Sequence, residues 1–276
     1  MCPLFLNTGR CYKGELCQDR HVQLRHAAVT PDQEEIITTM LDQAVFPTAE
    51  TPVLLSITHV SSPSSFYVTF PHGGRHIFTL SEEAKKATVS QEFRTLFGEM
   101  QESYQGLARV HVMDSLPSPG TLVAVRLGKK TWHRAKLVEE EDEEGNLQVF
   151  LVDTGRDETV PRRDVRRLQD CFTILPFQAH EAQLNMLEPQ GGAWRPEAGN
   201  AMQNMAKDCD YLSGKVVKVL PNEKLFMDVS TVRGEGEEEE EMDIGKMLCD
   251  WSLAKRLISP TVDIKSKRRV HNGCPG

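Results

Sequence analysis

Hydrophobic and polar positions alternate most regularly between residues 121 and 168. Residues 122–127, 133–138 and 147–152 are short β-rich runs of period two, each bounded by Gly, Lys or acidic turn residues. Several short, evenly spaced strands in so small a span predict a strongly bent antiparallel barrel covering about 117–170, opened by Pro117, Pro119 and Gly120. Upstream, residues 53–60 and 65–70 are β-rich around Ser61-Ser-Pro-Ser64. Phe93, Leu96, Phe97, Met100 and Tyr104 recur at helical spacing and predict a helix over 90–105 whose aromatics are most simply core. Downstream, the pattern predicts a strand over 177–187 and a helix over 194–207. A hairpin over 212–220 and 224–229 follows, then a final helix over 244–258. Thr30-Pro31-Asp32-Gln33 has the form of a capping box before the stripe Ile36, Ile37, Met40, Leu41 and Ala44. The resulting fold class is mainly β with helices.

Charge changes this picture little. The net charge is −8, but six acidic residues fall in 139–144 and seven in 235–243, so the rest of the chain is net basic. Both runs are expected to be solvated loop tips. Residues 261–276 are basic, polar and end in Gly and Pro, which predicts a disordered tail. No apolar run approaches the ~20 residues of a membrane span, so no membrane partner is expected. No apolar stretch follows a basic start, so no signal peptide is expected, and the seven Cys point to a reducing compartment.

Four of the first 21 residues carry metal chemistry. Cys2, Cys11, Cys17 and His21 are separated by eight, five and three residues. This spacing resembles the Cys-Cys-Cys-His zinc finger, with Gly9, Gly14, Phe5 and Tyr12 at the matching places. Three soft thiolates and an imidazole suit tetrahedral Zn²⁺, and a segment this short would draw its folding energy from the metal. The finger is expected over 1–28, followed by a helix and linker over 29–50. Such fingers commonly bind single-stranded RNA by stacking and phosphate contacts, so Phe5, Arg10, Tyr12 and Lys13 are candidate RNA contacts. A zinc clip that only packs against its neighbour is the alternative. Cys2 follows Met1 directly, which suggests the C-terminal part of a longer protein or an alternative start.

The central barrel resembles a Tudor domain, carried by Trp132-His133-Arg134-Ala135 and Asp153-Thr154-Gly155-Arg156. The order of elements extends the resemblance. In extended Tudor domains the barrel is inserted into a staphylococcal-nuclease-like oligonucleotide-binding fold. Ser62-Pro-x-x-Phe-Tyr-Val68 precedes the barrel here, and Leu175-Pro-x-Gln-Ala179 and Leu184-x-x-Leu-x-Pro189 follow it, giving an extended domain over 51–260. A finger before such a domain is similar to the C-terminal region of germline Tudor proteins of the Tudor-and-helicase type. The family's cage binds methylated arginine through cation–π attraction to aromatic side chains. Its positions align with Arg126, His133, Leu151, Thr154 and Arg156, none of which is Phe, Tyr or Trp. The cage is therefore read as degraded. Arg134 and Asp153 align with the family's internal ion pair.

No phosphate-binding Gly-x-x-x-x-Gly-Lys motif and no Gly-x-Ser-x-Gly occurs, and no His outside the finger has metal or triad spacing. The chain is therefore read as non-catalytic. The resemblance implies a cytoplasmic, germ-granule scaffold of the PIWI-interacting RNA pathway, with PIWI-family or other pathway proteins as partners. The alternative is an RNA-binding protein using the finger and a basic rim of Arg126, Lys129, Lys130, His133 and Arg156, then Arg162, Arg163, Arg166 and Arg167. A third reading, ordinary methylarginine binding, requires a register slip that turns Phe150 or Trp132 into the pocket.

Overall fold

The computed structural model describes residues 46–106, 118–128, 131–139, 141–234 and 239–257. The four finger residues Cys2, Cys11, Cys17 and His21, the expected RNA contacts, the capping-box helix and the basic tail lie outside them. The described elements form two large sheets, each around its own core, and a small two-stranded one, with helices packed against them.

The first sheet is built from strands at both ends of the chain. β1 (Pro52–Ser62) opens it with Val53, Leu54 and Leu55 fully buried. Two register shifts against β2 (Ser65–Thr69) bend it. β2 pairs with β8 (His180–Leu184), β8 runs parallel to β11 (Leu225–Arg233), and β11 pairs with β10 (Tyr211–Val219). Since β10 also pairs with β1, these five strands close on themselves. Phe66, Val68, Ala182, Met227 and Val229 fill the interior. Helix α3 (Pro196–Lys207) covers one side with Met202 and Met205 inward. It lies close to β1 because Gly199 has no side chain; a Cβ there would sit 3.2 Å from the Ser61 carbonyl oxygen.

Three expectations need correction here. The strand expected over 177–187 is only β8, because Met186 adopts φ 52° and turns the chain into β9 (Leu187–Pro189). The final helix, α4 (Ile244–Asp250), stops eight residues early. Ser252 takes φ 58° and the Leu253 amide returns to the Leu248 carbonyl, after which β13 (Ala254–Arg256) pairs with β9. The second acidic run is not all loop. Glu240–Asp243 is β12, which pairs with β11, and the Asp243 carboxylate caps α4 at the Lys246 amide. Glu239 binds the Lys85 ammonium at 2.8 Å and the Tyr211 hydroxyl at 2.7 Å. Lys85, on the short helix α1 (Glu82–Lys85), is almost fully buried over the Tyr211 ring. Paired in this way, its charge is tolerated inside.

Between β2 and β8 the chain builds the second sheet. Its strands are β3 (Leu122–Leu127), β4 (Thr131–Leu137), β5 (Asn146–Leu151), β6 (Arg156–Pro161) and β7 (Val165–Arg167), in spatial order β6-β5-β4-β3-β7. Val123, Val125, Ala135, Leu137, Leu147, Val149, Leu151, Val160 and Val165 share one interior, as the period-two pattern requires of a small barrel. In the first acidic run, the Asp142 carboxylate accepts from the Glu144 and Asn146 amides at 2.9 and 2.7 Å, and those bonds hold its pKa below the usual carboxylate value.

Helix α2 (Gln91–Gly106) packs across the outside of this barrel. Leu96, Met100 and Tyr104 meet Ala124, Trp132, Leu168 and Phe172. Its Gln101 side chain donates to the Trp132 carbonyl and accepts from the Trp132 amide, both at 2.8 Å. A side-chain amide thus satisfies both backbone groups of Trp132, beyond the part of β4 that pairs with β5.

Candidate functional site

The mouth of the small barrel is set by strand parity. Along β3 the inward residues are Val123, Val125 and Leu127; along β4, His133, Ala135 and Leu137; along β5, Leu147, Val149 and Leu151. The sequence alignment placed Arg126 with this set, but the strand puts it on the opposite face. There it pairs with Asp164 and lies over the Trp132 ring, 5.8 Å from its centroid, beside Arg166 at the same distance. Leu127 is the neighbour that packs on the barrel interior. Its parity was already readable from Val123 and Val125.

The other four positions converge. Leu151 is 2% exposed within the barrel core. Thr154 follows on the β5–β6 turn, and its hydroxyl is buried with no hydrogen-bond partner among the described residues. Gly155 is fixed by two demands at once. Its φ of 72° belongs to the left-handed region, and a Cβ would lie 2.0 Å from the Tyr67 ring of β2. Arg156 is half exposed and bonded to Glu158 at 2.7 Å. His133 is partly buried and meets the Phe97 ring of α2 at 5.5 Å. Burial, and secondarily the Arg156 charge, hold His133 below its ordinary pKa although Asp153 and Glu158 oppose the shift. His59 of β1 is likewise lowered by burial and by the Arg156 charge.

No aromatic cage forms at these positions. Trp132 is 2% exposed, packed on Tyr104 at 5.0 Å beneath its two arginines. Phe150 faces out of the barrel onto Tyr67 at 5.6 Å. The register Leu151↔Ala135 and Leu151↔Arg156 keeps Leu151, not Phe150, inside. Phe97 is the aromatic that does reach the rim. Its helical spacing marked it as core, and only the docking of α2 brings it to His133.

Arg134 and Asp153 form a buried joint rather than a surface feature. Arg134 Nε donates to Asp153 Oδ2 at 2.9 Å and Nη2 to Oδ1, with both side chains over 90% buried. The remaining guanidinium donors reach the Phe172, Leu175 and Pro176 carbonyls at 3.0, 2.7 and 3.0 Å. The Gln178 amide closes on Asp153 Oδ1 at 3.2 Å, and the Ala179 amide on the Val152 carbonyl. The planar fork therefore fixes the segment that leads from the small barrel back to β8.

Three arginines of the basic rim are paired with carboxylates. Arg126 pairs with Asp164, Arg162 with Glu141 and Arg156 with Glu158, leaving Arg163 and Arg167 exposed. Lys129 and Lys130 lie outside the described residues. Among the described residues no group of three His, Cys, Asp or Glu is placed to hold a metal ion, and Cys171, Cys209 and Cys249 form no disulfide. No described helix is long and apolar enough to cross a membrane.

Residues 53–186 match the model of the Tudor domain family. Human Tudor and KH domain-containing protein is 32% identical over 127 residues, which are 44% of this chain and 21% of that protein. The chain thus spans about a fifth of that relative's length. Among solved structures, the extended Tudor domain TD3 of mouse TDRD1, in complex with a MILI peptide containing dimethylarginine, superposes with a TM-score of 0.62 at 19% identity. The match covers 78% of this chain and 98% of that one. The extended Tudor domain of Drosophila melanogaster Papi, in complex with a Piwi N-terminal peptide, gives 0.60 at 18% identity over 75% and 100%. Residues 53–186 therefore resemble a Tudor domain, and the fold of the described residues is that of the extended Tudor domains.

Proposed function

We propose that this chain is a non-catalytic docking module of the PIWI-interacting RNA pathway, and that it holds protein partners by surfaces other than a methylarginine cage. The first sheet is read as the staphylococcal-nuclease-like lobe that carries the inserted barrel. Two solved neighbours hold peptides of MILI and Piwi, which supports PIWI-family proteins as partners. The observation that carries the reading is the composition of the mouth. Leu127 and Leu151 close its floor, Thr154 offers a hydroxyl instead of a ring, and Arg156 brings a cation to the rim. Cation–π capture needs a ring face, and a resident cation repels an arriving one. Pairing of Arg126, Arg156 and Arg162 with carboxylates weighs against the RNA-binding alternative at these three positions. Zinc at Cys2, Cys11, Cys17 and His21, and a cytoplasmic germ-granule location, are part of the same proposal.

The test is calorimetric titration of the full chain with an Arg-Gly peptide, unmodified and symmetrically dimethylated. Equal binding, or none, is expected. A preference of tenfold or more for the methylated peptide, about 1.4 kcal/mol, would overturn the reading.

A further inference from the structure

If the barrel mouth is closed, a partner must be held elsewhere, and the fold provides a groove for it. It lies between α2 and the segment that follows β7, with a volume of about 360 Å³. Leu96 and Cys171 form its floor, each 5% exposed. Ile174, 37% exposed, and Leu175 form one wall. Glu92 and Glu99 stand on the opposite wall one above the other, as positions two turns apart on a helix must. A volume of this size accepts one large side chain and its flanking backbone.

Three observations make this more than an exposed apolar patch. The wall is preformed, because Arg134 holds the Phe172 and Leu175 carbonyls from behind while the Thr173 hydroxyl bonds the Asp170 carbonyl at 2.7 Å. The described rim has one sign of charge, since the described residues that line the groove include two glutamates and no Lys, Arg or His. The groove is also separate from the mouth, on another side of α2. Phe97, which meets His133, is not among its lining residues.

We infer that this groove docks a protein partner through a short segment that places a bulky aliphatic or aromatic side chain beside arginine or lysine. The apolar residue fills the space over Leu96 and Cys171 against Ile174. The flanking cation lies along Glu92 and Glu99, where charge favours it and disfavours an acidic neighbour. The inference rests on the docking-module reading but uses none of the cage positions.

The experiment uses the full chain and a fluorescent octapeptide array. Each peptide carries Leu, Ile, Met, Phe or Trp at one central position, flanked by Arg, Glu or Gly. Binding is read by anisotropy for the parent and for Ile174→Asp and Glu92→Lys, both solvent-facing, with thermal melts to show that each variant folds. The Arg-flanked apolar peptides are expected to bind at least tenfold tighter than their Glu-flanked counterparts, and both variants should lose at least fivefold. Binding that ignores both variants, or no binding by any Arg-flanked peptide, would overturn the assignment. So would a concentration-dependent dimer that Ile174→Asp abolishes, or peptide binding seen only after residues 258–276 are removed. A dimethylarginine preference that survives Ile174→Asp would instead sink the closed-mouth reading and leave the groove standing.

Discussion

Removing Arg134 should damage this protein more than removing any exposed arginine. The guanidinium makes two bonds to Asp153 and three to the carbonyls of Phe172, Leu175 and Pro176. Arg134→Ala leaves a carboxylate over 90% buried, with the Gln178 amide as its one remaining donor in the joint, and strips three carbonyls of a charged donor. Breaking a buried ion pair by deleting one partner costs about 3–5 kcal/mol. The freed carbonyls each carry a desolvation penalty of ~1–3 kcal/mol, although water can reach some of them once the side chain is gone. These contributions overlap, so the expected loss is about 4–6 kcal/mol, against a usual total of ~5–15 kcal/mol. At ~2–4 °C per kcal/mol for a chain of this size, the thermal midpoint should fall by roughly 8–24 °C. The assay is a circular-dichroism melt of the full chain beside two controls. Arg126→Ala removes a part-exposed pair to Asp164 and should cost less than about 1 kcal/mol. Arg134→Lys keeps the charge but loses the fork, so it should fall between the two. An Arg134→Ala midpoint within 2 °C of the Arg126→Ala midpoint would refute the argument that this pair joins the segments.

Two further outcomes follow from the mouth and the core. The triple change His133→Tyr, Thr154→Tyr, Arg156→Asn supplies two ring faces and removes the resident cation. It should raise the preference for a symmetrically dimethylated Arg-Gly peptide at least tenfold by calorimetry; no gain would mean that Leu127 and Leu151 alone obstruct the site. His180, held between Phe46 and Phe70, has its pKa pushed down to about 4 by burial. It stays neutral in the folded chain while the unfolded chain binds a proton near the ordinary value of ~6.5. Its contribution is therefore complete above pH ~6.5 and declines as pH falls toward 4, by on the order of 3 kcal/mol at most. Urea midpoints measured across that window should fall less steeply in His180→Phe than in the parent; parallel curves would contradict the assignment.

The small barrel was legible because its core alternates with period two and its turns carry Gly and acidic residues. The two helices read within two residues of their ends, α2 and α3, have a clear apolar stripe. Legibility failed where the local chain carries no mark of what tertiary contacts impose. Ser252 and Met186 adopt left-handed backbone without being Gly, so neither announced the end of α4 or the break after β8. The run at 239–243 looked like loop because it is charged. Charge is also how an edge strand resists pairing with other chains, and β12 is such an edge. Arg126 was misplaced by one residue in a motif alignment, and one residue exchanges the faces of a strand. Phe97 could not be assigned to the rim at all, since its position depends on how a helix crosses a barrel about 35 residues further along the chain.

The place of insertion has a kinetic consequence. β2 and β8 lie side by side, with Phe66 opposite Ala182, yet the whole small barrel separates them in sequence. Joining two strands across so long an excursion is entropically slow if the excursion is open chain. It becomes local once the small barrel has folded, because the Arg134 fork and the Ala179 amide then deliver the start of β8 to the barrel that β2 enters through Tyr67 and Gly155. The inserted barrel thus acts as a template for the sheet that encloses its ends, and the larger sheet should be the last part of this protein to close.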